Sequence, residues 1–355
     1  MKNLVILGGG YGGMRILNKL TDHPIPKDIH ITLVDRVPYH CLKTEFYALA
    51  AGSISDSAIR VSFPKHAQIS YQYGEVANID LDHKKVLFDD QEPLEYDELI
   101  IGLGCEDNYH STPGADQYTY SIQSIDKSRS TYQTLNNLGP ASVVAIVGGG
   151  LSGIELASEL IESRPDLDIK LFDRNEHILS SFPAKLSNYV EQWFIDHNVD
   201  LVHNCNINKI EHNILFNHNE PLACDAIVWT AGIQPVKPVR DLPVEKDNSG
   251  KIKLTPQHYI PGYPDVFVVG DCASLGHAPS AQLAEGQGEQ IYQVLLKKWA
   301  NEELPESFPQ IKLKGILGSL GKKHGFGLMA ERPITGRMAR LLKSGVLWMY
   351  KYHNG

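Results

Sequence analysis

Apolar and polar residues alternate along the chain in two stretches that repeat one order of elements. The apolar runs at residues 4–7 and 143–147 lead into the glycine turns GGGYGG and GGGLSG, and a helix-like stretch follows each turn. A second apolar run then ends in an acid, Asp35 in the first stretch and Asp173 in the second. Short apolar runs bounded by turn residues predict strands, so each stretch is predicted to form a right-handed β-α-β unit.

Further strands and a long helix lie outside these two units. Apolar runs at residues 96–101, 225–230 and 266–269 each stop at a glycine turn, which predicts buried strands. Residues 69–88 alternate between apolar and polar positions with charged turns, which predicts an antiparallel meander. Residues 280–300 are typical of a helix.

The chain has 355 residues, enough for two domains of ordinary size and a small appendage. The two glycine turns start 140 residues apart, about one domain length. We therefore predict an α/β fold with two Rossmann-like dinucleotide-binding domains. The first is expected to comprise residues 1–110 and 251–300, the second residues 111–250, and residues 301–355 to form a short C-terminal region.

The net charge of −9 is spread unevenly over the chain. Residues 310–355 contain nine Lys or Arg and one acid, a net +8, which leaves −17 for residues 1–309. An acidic body argues against nucleic acid as a partner for most of the surface. A basic end on such a body predicts a local contact with something anionic.

The five cysteines form no CxxC pair and none is spaced with histidine as in a zinc site, so no metal site is predicted. An odd number of cysteines without a secretory signal is typical of a reducing, cytoplasmic setting. The sequence contains no run of about 18 apolar residues, so no membrane-spanning helix is predicted.

The glycine turns have the spacing GxGxxG that binds a dinucleotide when a strand precedes it and a helix follows it. The first glycine allows a tight turn, the second lets the backbone approach a pyrophosphate, and the third lets helix and strand pack closely. The helix N-terminus then offers free N–H groups to the phosphates, and the closing acid accepts hydrogen bonds from ribose hydroxyls. The candidate residues are Gly8, Gly10, Gly13 and Asp35 in the first unit, and Gly148, Gly150, Gly153 and Asp173 in the second.

The second acid also bears on the choice of nicotinamide cofactor. A carboxylate at Asp173 would repel a 2′-phosphate, which favours NADH. Arg174 follows directly and could offset that repulsion, which leaves NADPH open, although Arg174 fits a solvated surface charge equally well.

The order of motifs resembles the two-dinucleotide flavoproteins of the disulfide-reductase superfamily, and most of all the type II NADH:quinone oxidoreductases. The resemblance covers nearly the whole chain and rests on VILGGGYGG, IVGGGLSGIELASEL, VWTAGIQP, FVVGDCA and PSAQLAEGQGE. It implies that the first unit binds FAD and the second NADH, and that hydride passes to the flavin and electrons then pass to a quinone. It also implies that Gly270 and Asp271 meet the ribityl–phosphate part of FAD.

Two residues are implied by the resemblance to take part in catalysis. Glu155 is expected at the junction of flavin and nicotinamide, where it would assist hydride or proton transfer. The alternative is structural, because Ser152 and Glu155 also have capping-box spacing and an acid suits the first turn of a helix.

Gln282 matches the start of the quinone-site motif AQxAxQ. The second Gln of that motif is replaced by Gly286, and Gln287 comes one position late. Gln282 is therefore expected near the flavin, either as a quinone ligand or as a helix residue at the edge of the isoalloxazine.

Cys41 follows Asp35 too closely and lacks the CxxxxC partner of the thiol-dependent relatives, so an inert thiol is expected.

The same resemblance implies further contacts with the cofactors. The further cofactor-binding positions are Tyr11, Gly12, Arg36, Lys43, Val76, Gly104, Leu151, Ser152, Gly232 and Leu283.

The basic C-terminal end has two interpretations. Residues 337–352 combine basic side chains with Trp348 and other apolar residues, which fits weak docking on the inner face of the cell membrane. They equally fit a short helix that packs on the flavin domain with its charges solvated. A homodimer is left open.

Two other functions compete with quinone reduction. The missing second Gln and the short end favour a soluble pyridine-nucleotide reductase that acts on a disulfide, a peroxide or a small electron-transfer protein. A non-catalytic regulator that binds flavin or nucleotide is the other alternative.

Overall fold

The computed structural model describes residues 1–354, with side chains described for residues 1–352. The strands, in chain order, are β1 (Lys2–Leu7), β2 (Ile29–Asp35), β3 (Tyr39–Cys41), β4 (Arg60–Ser62), β5 (Ile69–Tyr73), β6 (Val76–Asp80), β7 (Lys85–Phe88), β8 (Leu94–Glu95), β9 (Glu98–Ile101), β10 (Cys105–Asp107), β11 (Val143–Val147), β12 (Asp168–Phe172), β13 (Asp200–Val202), β14 (Ile207–Glu211), β15 (Ile214–Asn217), β16 (Glu220–Ala223), β17 (Ala226–Trp229), β18 (Ile233–Pro235), β19 (Tyr259–Ile260), β20 (Tyr263–Val268), β21 (Gly315–Leu320), β22 (His324–Met329) and β23 (Arg332–Thr335). The α-helices are α1 (Tyr11–Thr21), α2 (Phe46–Ala50), α3 (Ala115–Tyr118), α4 (Ile125–Asn137), α5 (Leu151–Ser163), α6 (Ala184–Asp196), α7 (Lys237–Arg240), α8 (Ala281–Trp299) and α9 (Gly336–Asn354).

The first β-α-β unit belongs to a six-stranded sheet in the order β19-β20-β9-β1-β2-β5. Strands β20, β9, β1, β2 and β5 run parallel, and β19 pairs antiparallel with β20. Strand β20 comes from late in the chain and lies beside β9, with Val266 opposite Leu99. Segments 167 residues apart in sequence therefore share one sheet and one core.

The stretch 69–88 departs from the predicted meander in its first strand. Strand β5 joins the parallel sheet beside β2, with Ile69 opposite Ile31, and only β6, β7 and β8 form an antiparallel meander. Strand β5 lies at the edge of the sheet and is only partly covered, with Ile69 buried and Ser70 and Tyr73 exposed, so it alternates in sequence much as a meander strand does. The alternation could not distinguish the two.

The second β-α-β unit forms a four-stranded parallel sheet in the order β13-β12-β11-β17. Its central strand β11 is buried on both faces, since Val144, Ala145 and Ile146 are fully enclosed. Helix α5 follows β11, and its N-cap is Gly150, whose position carries no side-chain cap. A helix N-terminus without a capping side chain leaves its N–H groups available to a ligand.

The C-terminal region folds into the antiparallel sheet β21-β22-β23 and helix α9. Leu320 and Phe326 of this sheet are buried in the same core as Ile154 of α5, so the sheet packs on the second unit. Helix α9 then reaches the first unit, where Leu347 and Tyr350 pack on the cluster that contains Phe46. Within residues 1–354, no helix is long and apolar enough to cross a bilayer.

Candidate functional site

A cavity of about 1680 Å³ lies between the two units and the C-terminal region. The first glycine turn, strand β2, the segment that contains Lys43, the start of α5 and the start of α8 all contribute to its lining. Segment 311–317 and one face of α9 complete the wall. The cavity therefore brings together elements that lie far apart in the sequence.

The first glycine turn has the geometry of a dinucleotide site. Gly8 has φ +96°, and a Cβ added there would lie 2.3 Å from the carbonyl oxygen of Gly102. A Cβ on Gly13 would lie 2.1 Å from the oxygen of Gly8, so only glycine lets α1 approach β1 this closely. Gly10 has no atom within 4 Å of such a Cβ and faces the cavity. This open cradle fits a pyrophosphate.

Asp35 closes the first unit. Its Oδ2 accepts a hydrogen bond from the N–H of Gly9 at 2.6 Å, and its Oδ1 accepts one from the N–H of Val37 at 3.1 Å. Burial raises the pKa of Asp35, although these N–H donors oppose it. The carboxylate lies on the cavity wall beside Arg36, where a ribose would lie if the pyrophosphate occupied the glycine turn.

The second glycine turn repeats this geometry, but its glycines lie outside the cavity lining, which only Leu151 and Ser152 of this turn reach. A Cβ on Gly153 would lie 1.9 Å from the oxygen of Gly148, and Gly150 is exposed and again unobstructed. Asp173 accepts hydrogen bonds from the N–H of Gly149 at 2.9 Å and from Asn175. The turn therefore fits a second dinucleotide that approaches from solvent.

A group of charged and thiol side chains lines the cavity where β20 ends. The Lys43 ammonium lies 3.0 Å from the Cys105 sulfur and 3.8 Å from the Asp271 carboxylate. The Cys105 thiol also donates to Asp271 at 3.0 Å. Burial raises the pKa of the Cys105 thiol to about 12, so it stays a thiol at neutral pH. The Gly270–Asp271 turn can thus offer a carboxylate to hydroxyl groups of a ligand.

Gln287 fixes that turn from beneath. It is fully buried, its side-chain oxygen accepts from the N–H of Gly270 at 2.8 Å, and its amide nitrogen donates to Val268 at 2.8 Å. The Gln that comes one position late in the motif therefore holds the backbone of the site and does not face a ligand.

Glu155 lies on the cavity wall, and its side chain points toward the C-terminal region. Its Oε1 accepts from the backbone N–H of Ser319 at 2.8 Å and from the Ser319 hydroxyl at 3.2 Å, and it pairs with the Lys343 ammonium. The capping-box alternative is wrong, because the N-cap is Gly150 and Ser152 lies within α5. Glu155 instead joins the second unit to α9.

The surroundings of this ion pair are themselves ionisable. Burial lowers the pKa of Lys343, but Glu155 and Tyr47 outweigh it and leave that pKa raised. Burial raises the pKa of the Glu45 carboxyl to about 7, against the opposing effect of Lys343. The cluster thus holds a charged lysine and carries a carboxyl that titrates near neutral pH beside the cavity.

Gln282 faces the cavity at the start of α8, but its amide is engaged at both ends. Its nitrogen donates to the carbonyl of Gly315 at 2.9 Å, and its oxygen accepts from the N–H of Lys314 at 2.9 Å. At Gly286, a Cβ would lie 2.6 Å from the side chain of Ile311. Segment 311–315 therefore occupies the space that a second motif Gln would need.

Helix α9 covers the first glycine turn through a cluster of three aromatic side chains. The Nδ1 of His40 lies 2.7 Å from the carbonyl oxygen of Gly9, and its Nε2 lies 3.0 Å from the Tyr350 hydroxyl. Burial lowers the pKa of His40 to about 4, so the ring is neutral at pH 7. Nδ1–H then donates to Gly9, and Nε2 accepts from Tyr350. Tyr11 packs edge-on against both rings.

The structure brings most of the predicted site residues to the cavity and leaves the glycines of the second turn outside its lining. Two predicted residues from other segments also lie outside the lining: Gly232 has φ +151° and lies against His110, and Leu283 is buried in α8. The predicted residues that line the cavity are Gly8, Gly10, Tyr11, Gly12, Asp35, Arg36, Lys43, Val76, Gly104, Leu151, Ser152, Glu155, Gly270, Asp271 and Gln282. Those that do not are Gly13, Gly148, Gly150, Gly153, Asp173, Gly232 and Leu283.

Several residues of the site were not found from the sequence. Lys343 and Tyr350 belong to the basic C-terminal segment, whose sequence is typical of a surface helix. Nothing in the sequence indicates that they contact Glu155 and His40. Glu285 also lines the cavity, but it occupies the variable position of the altered quinone-site motif, so the motif did not point to it. Cys41, by contrast, was singled out from the sequence as an inert thiol; it is half-buried on the wall, and burial raises its thiol pKa to about 12. Across residues 1–352, no group of three His, Cys, Asp or Glu side chains could hold a metal ion.

Comparison with known proteins agrees with this geometry. The chain is 64% identical over 355 residues, 100% of both chains, to the NADH dehydrogenase-like protein YutJ of Bacillus subtilis (strain 168). It is 25% identical to the type II NADH:quinone oxidoreductase of Staphylococcus aureus (strain MSSA476), covering 96% of this chain and 93% of the relative. In fold it is similar to NDH2 from Plasmodium falciparum in complex with NADH, with a TM-score of 0.83, 17% identity, and coverage of 99% and 96%.

These comparisons confirm the predicted resemblance and the predicted fold of two dinucleotide-binding domains. Residues 2–288 match the family described as pyridine nucleotide-disulphide oxidoreductase. The chain is an oxidoreductase that belongs to the pyridine nucleotide-disulphide oxidoreductase family.

Proposed function

We propose that the protein is an FAD-dependent NADH dehydrogenase that passes electrons from NADH by way of the flavin to a quinone-type acceptor. The observation that carries this proposal is the cavity of about 1680 Å³ shared by the first glycine turn, the Gly270–Asp271 turn and the start of α8. Glu155, from the helix of the second unit, reaches the same cavity. Sites for a flavin, a nicotinamide and an acceptor thus adjoin one space.

The residues of the first unit would hold FAD. The Gly10 cradle and the N-terminus of α1 suit the pyrophosphate, Asp35 the ribose, and Asp271 the ribityl hydroxyls. When bound, the flavin supplies the chemistry of hydride acceptance, and the protein supplies orientation and electrostatics. The paired segments β9 and β20 support our division of this domain into residues 1–110 and 251–300.

The residues of the second unit would hold NADH. Gly150 leaves room for the pyrophosphate, and Asp173 lies where a ribose hydroxyl would meet it. Arg174 is exposed and makes no ion pair within residues 1–352, so it remains free to meet a 2′-phosphate and NADPH stays a weaker alternative. The names of the relatives, which include NADH, support the choice of NADH.

Glu155 is proposed to act where nicotinamide and flavin meet. Its carboxylate is buried, held by Ser319 and charge-paired with Lys343, so its position is set by three donors. A carboxylate fixed this firmly at the cavity wall can orient the nicotinamide or relay a proton.

A second candidate function is a pyridine-nucleotide reductase with another acceptor. It is favoured by the α8 wall, where both ends of the Gln282 amide are bound and Ile311 fills the space beside Gly286. A quinone would find no free motif amide there. The identity of the acceptor therefore has to be decided by turnover.

The exposed face of α9 is proposed to dock weakly on an anionic membrane surface. Leu341 and Trp348 are 71% and 65% exposed, and Met338 and Tyr352 extend the same helical stripe, with Arg337 beside it. Flotation with phosphatidylglycerol vesicles should carry the protein upward. Leu341→Ser with Trp348→Ser should abolish flotation, whereas Ile195→Ser, an exposed apolar residue on α6, should not.

The main experiment measures cofactor and acceptor in turn. The purified protein should be yellow and release FAD, and NADH should bleach it without oxygen. Steady-state NADH oxidation is then compared with menadione, a short-chain ubiquinone, oxygen, disulfides and ferricyanide as acceptors. Release of FMN, or a flavin that NADH does not bleach, would refute the proposal. Turnover with a disulfide but no quinone would favour the second candidate.

A further inference from the structure

Helix α8 presents three positions to the cavity at helical spacing: Gln282, Glu285 and Gly286. The first is bound at both ends by segment 311–315, and the third is covered by Ile311. Within residues 1–352, no protein group lies within hydrogen-bonding or ion-pairing distance of the Glu285 carboxylate. Glu285 is therefore the polar group that this wall leaves available to a ligand.

The groups that face Glu285 come from three other elements. Arg15 and Tyr11 face it from α1, Lys314 from the segment before β21, and Tyr350 from α9. Arg15 is already committed to Glu289 at 2.7 Å. Burial raises the pKa of Glu285, and Arg15 and Lys314 oppose it only in part.

The two phenols beside Glu285, Tyr11 and Tyr350, are protonated at neutral pH. Burial raises the pKa of Tyr11 and of Tyr350, so neither ionises there. A ligand oxygen on this wall would thus meet two phenols and the Glu285 carboxyl, which is the strongest acid of the three.

Quinone reduction needs a proton donor, since NADH + quinone + H⁺ gives NAD⁺ + hydroquinone. NADH supplies two electrons and one proton as hydride, and one more proton must reach a quinone oxygen. We propose that Glu285 donates that proton and that this selects acceptors whose reduction consumes one. The inference rests on the proposed function. The O–H bond of the carboxyl breaks, an O–H bond of the hydroquinone forms, and solvent returns the proton to Glu285.

The test uses the flavin-loaded enzyme and the variant Glu285→Gln. Turnover of NADH with menadione should fall about 10²-fold, in the range typical of a lost general acid. Ferricyanide takes electrons without a proton, so its reduction should keep the wild-type rate. With menadione, wild-type turnover should decline as pH rises through the raised pKa of Glu285, because the carboxyl then has no proton to give, and the variant should lose this decline.

A binding measurement separates proton donation from simple contact. Menadione added to the oxidised enzyme without NADH should quench flavin fluorescence, and its affinity should weaken with rising pH in the wild type but not in Glu285→Gln. Glu302→Gln, just beyond the end of α8 and paired with Lys297 away from the cavity, is the matched control and should behave as wild type.

The two proposals fail in different ways. A wild type that reduces menadione, with a Glu285→Gln variant that keeps its rate and pH profile, would overturn the role of Glu285 alone. A wild type whose flavin NADH bleaches but which reduces no quinone would overturn the proposed function and the role of Glu285 with it.

Discussion

The two glycine turns have nearly the same local geometry and very different surroundings. The Gly9 N–H donates to Asp35 at 2.6 Å and the Gly149 N–H to Asp173 at 2.9 Å, and the third glycine is pressed against the first in both. The first turn lies inside the cavity, beneath His40 and α9. The glycines of the second turn lie outside the cavity lining.

This difference fits the two ligands that we propose. A cofactor that stays bound through many turnovers gains from a covered site, because release must first open the cover. A substrate that enters and leaves in each turnover needs an accessible turn. The motif therefore encodes dinucleotide binding as such, and the elements packed around it decide whether the dinucleotide stays or exchanges.

The largest expected effect compares the third glycines. Gly13→Val and Gly153→Val each force a side chain into a carbonyl oxygen that lies 2.1 or 1.9 Å from the Cβ position. Overpacking of this kind costs about 1–3 kcal/mol, up to about 10²-fold in binding. Gly13→Val should lose its flavin, whereas Gly153→Val should stay yellow but resist bleaching by NADH.

Absorbance of the purified variants and circular dichroism distinguish lost binding from lost folding. If Gly153→Val were the colourless variant, the assignment of the two units would be reversed.

The next effect tests the carboxylate on the second unit's helix. Glu155→Gln keeps the shape and removes the charge, so turnover should fall about 10²-fold with FAD still bound. Glu162→Gln is the matched control, since Glu162 lies two turns further along α5 and accepts the N–H of Lys322 at 2.9 Å. Slower bleaching by NADH would place the role on the nicotinamide side, and slower reoxidation on the acceptor side. Wild-type rates in both half-reactions would leave Glu155 with a structural role only.

The local units could be predicted from the sequence because their causes are local. Strand, glycine turn, helix and closing acid follow one another within about 30 residues, and each step has its own residue signal. The pairing of β20 with β9 could also be predicted, because the dipeptide Gly270–Asp271 after a late strand is part of the family resemblance and implies that this strand joins the first domain.

The cover of the first turn could not be predicted in this way. Lys343 and Tyr350 meet Glu155 and His40 across separations of 188 and 310 residues. Neither side of these contacts has a distinctive spacing, and a helix with basic and aromatic residues fits both a membrane surface and a protein surface. In the structure, one face of α9 packs on the protein surface. Lys343 is buried there, although a solvated charge was expected.

A smaller effect compares the two closing acids. Asp173→Ser removes the charge that would repel a 2′-phosphate, so the ratio of kcat/KM for NADH over NADPH should narrow about tenfold. Asp35→Ser should weaken FAD retention and leave that ratio unchanged. Arg174→Ala should widen the ratio, because it removes a cation that could attract the phosphate. A wild type that prefers NADPH would show that Arg174 outweighs Asp173.

The smallest effect concerns the cover of the first turn. Tyr350→Phe removes the hydroxyl that donates to His40 at 3.0 Å, one hydrogen bond of about 1 kcal/mol, so the Kd of FAD should rise about fivefold. Tyr132→Phe, an exposed tyrosine on α4, is the control and should not change it. Burial lowers the pKa of His40 to about 4 from its usual 6.5, so the neutral ring that accepts from Tyr350 is disfavoured as pH falls from about 6.5 toward 4. Protonated His40 has no acceptor for the Tyr350 hydroxyl. The gap between wild type and Tyr350→Phe should therefore close toward pH 4, and a gap that persists there would show that the Tyr350 hydroxyl does not act through His40.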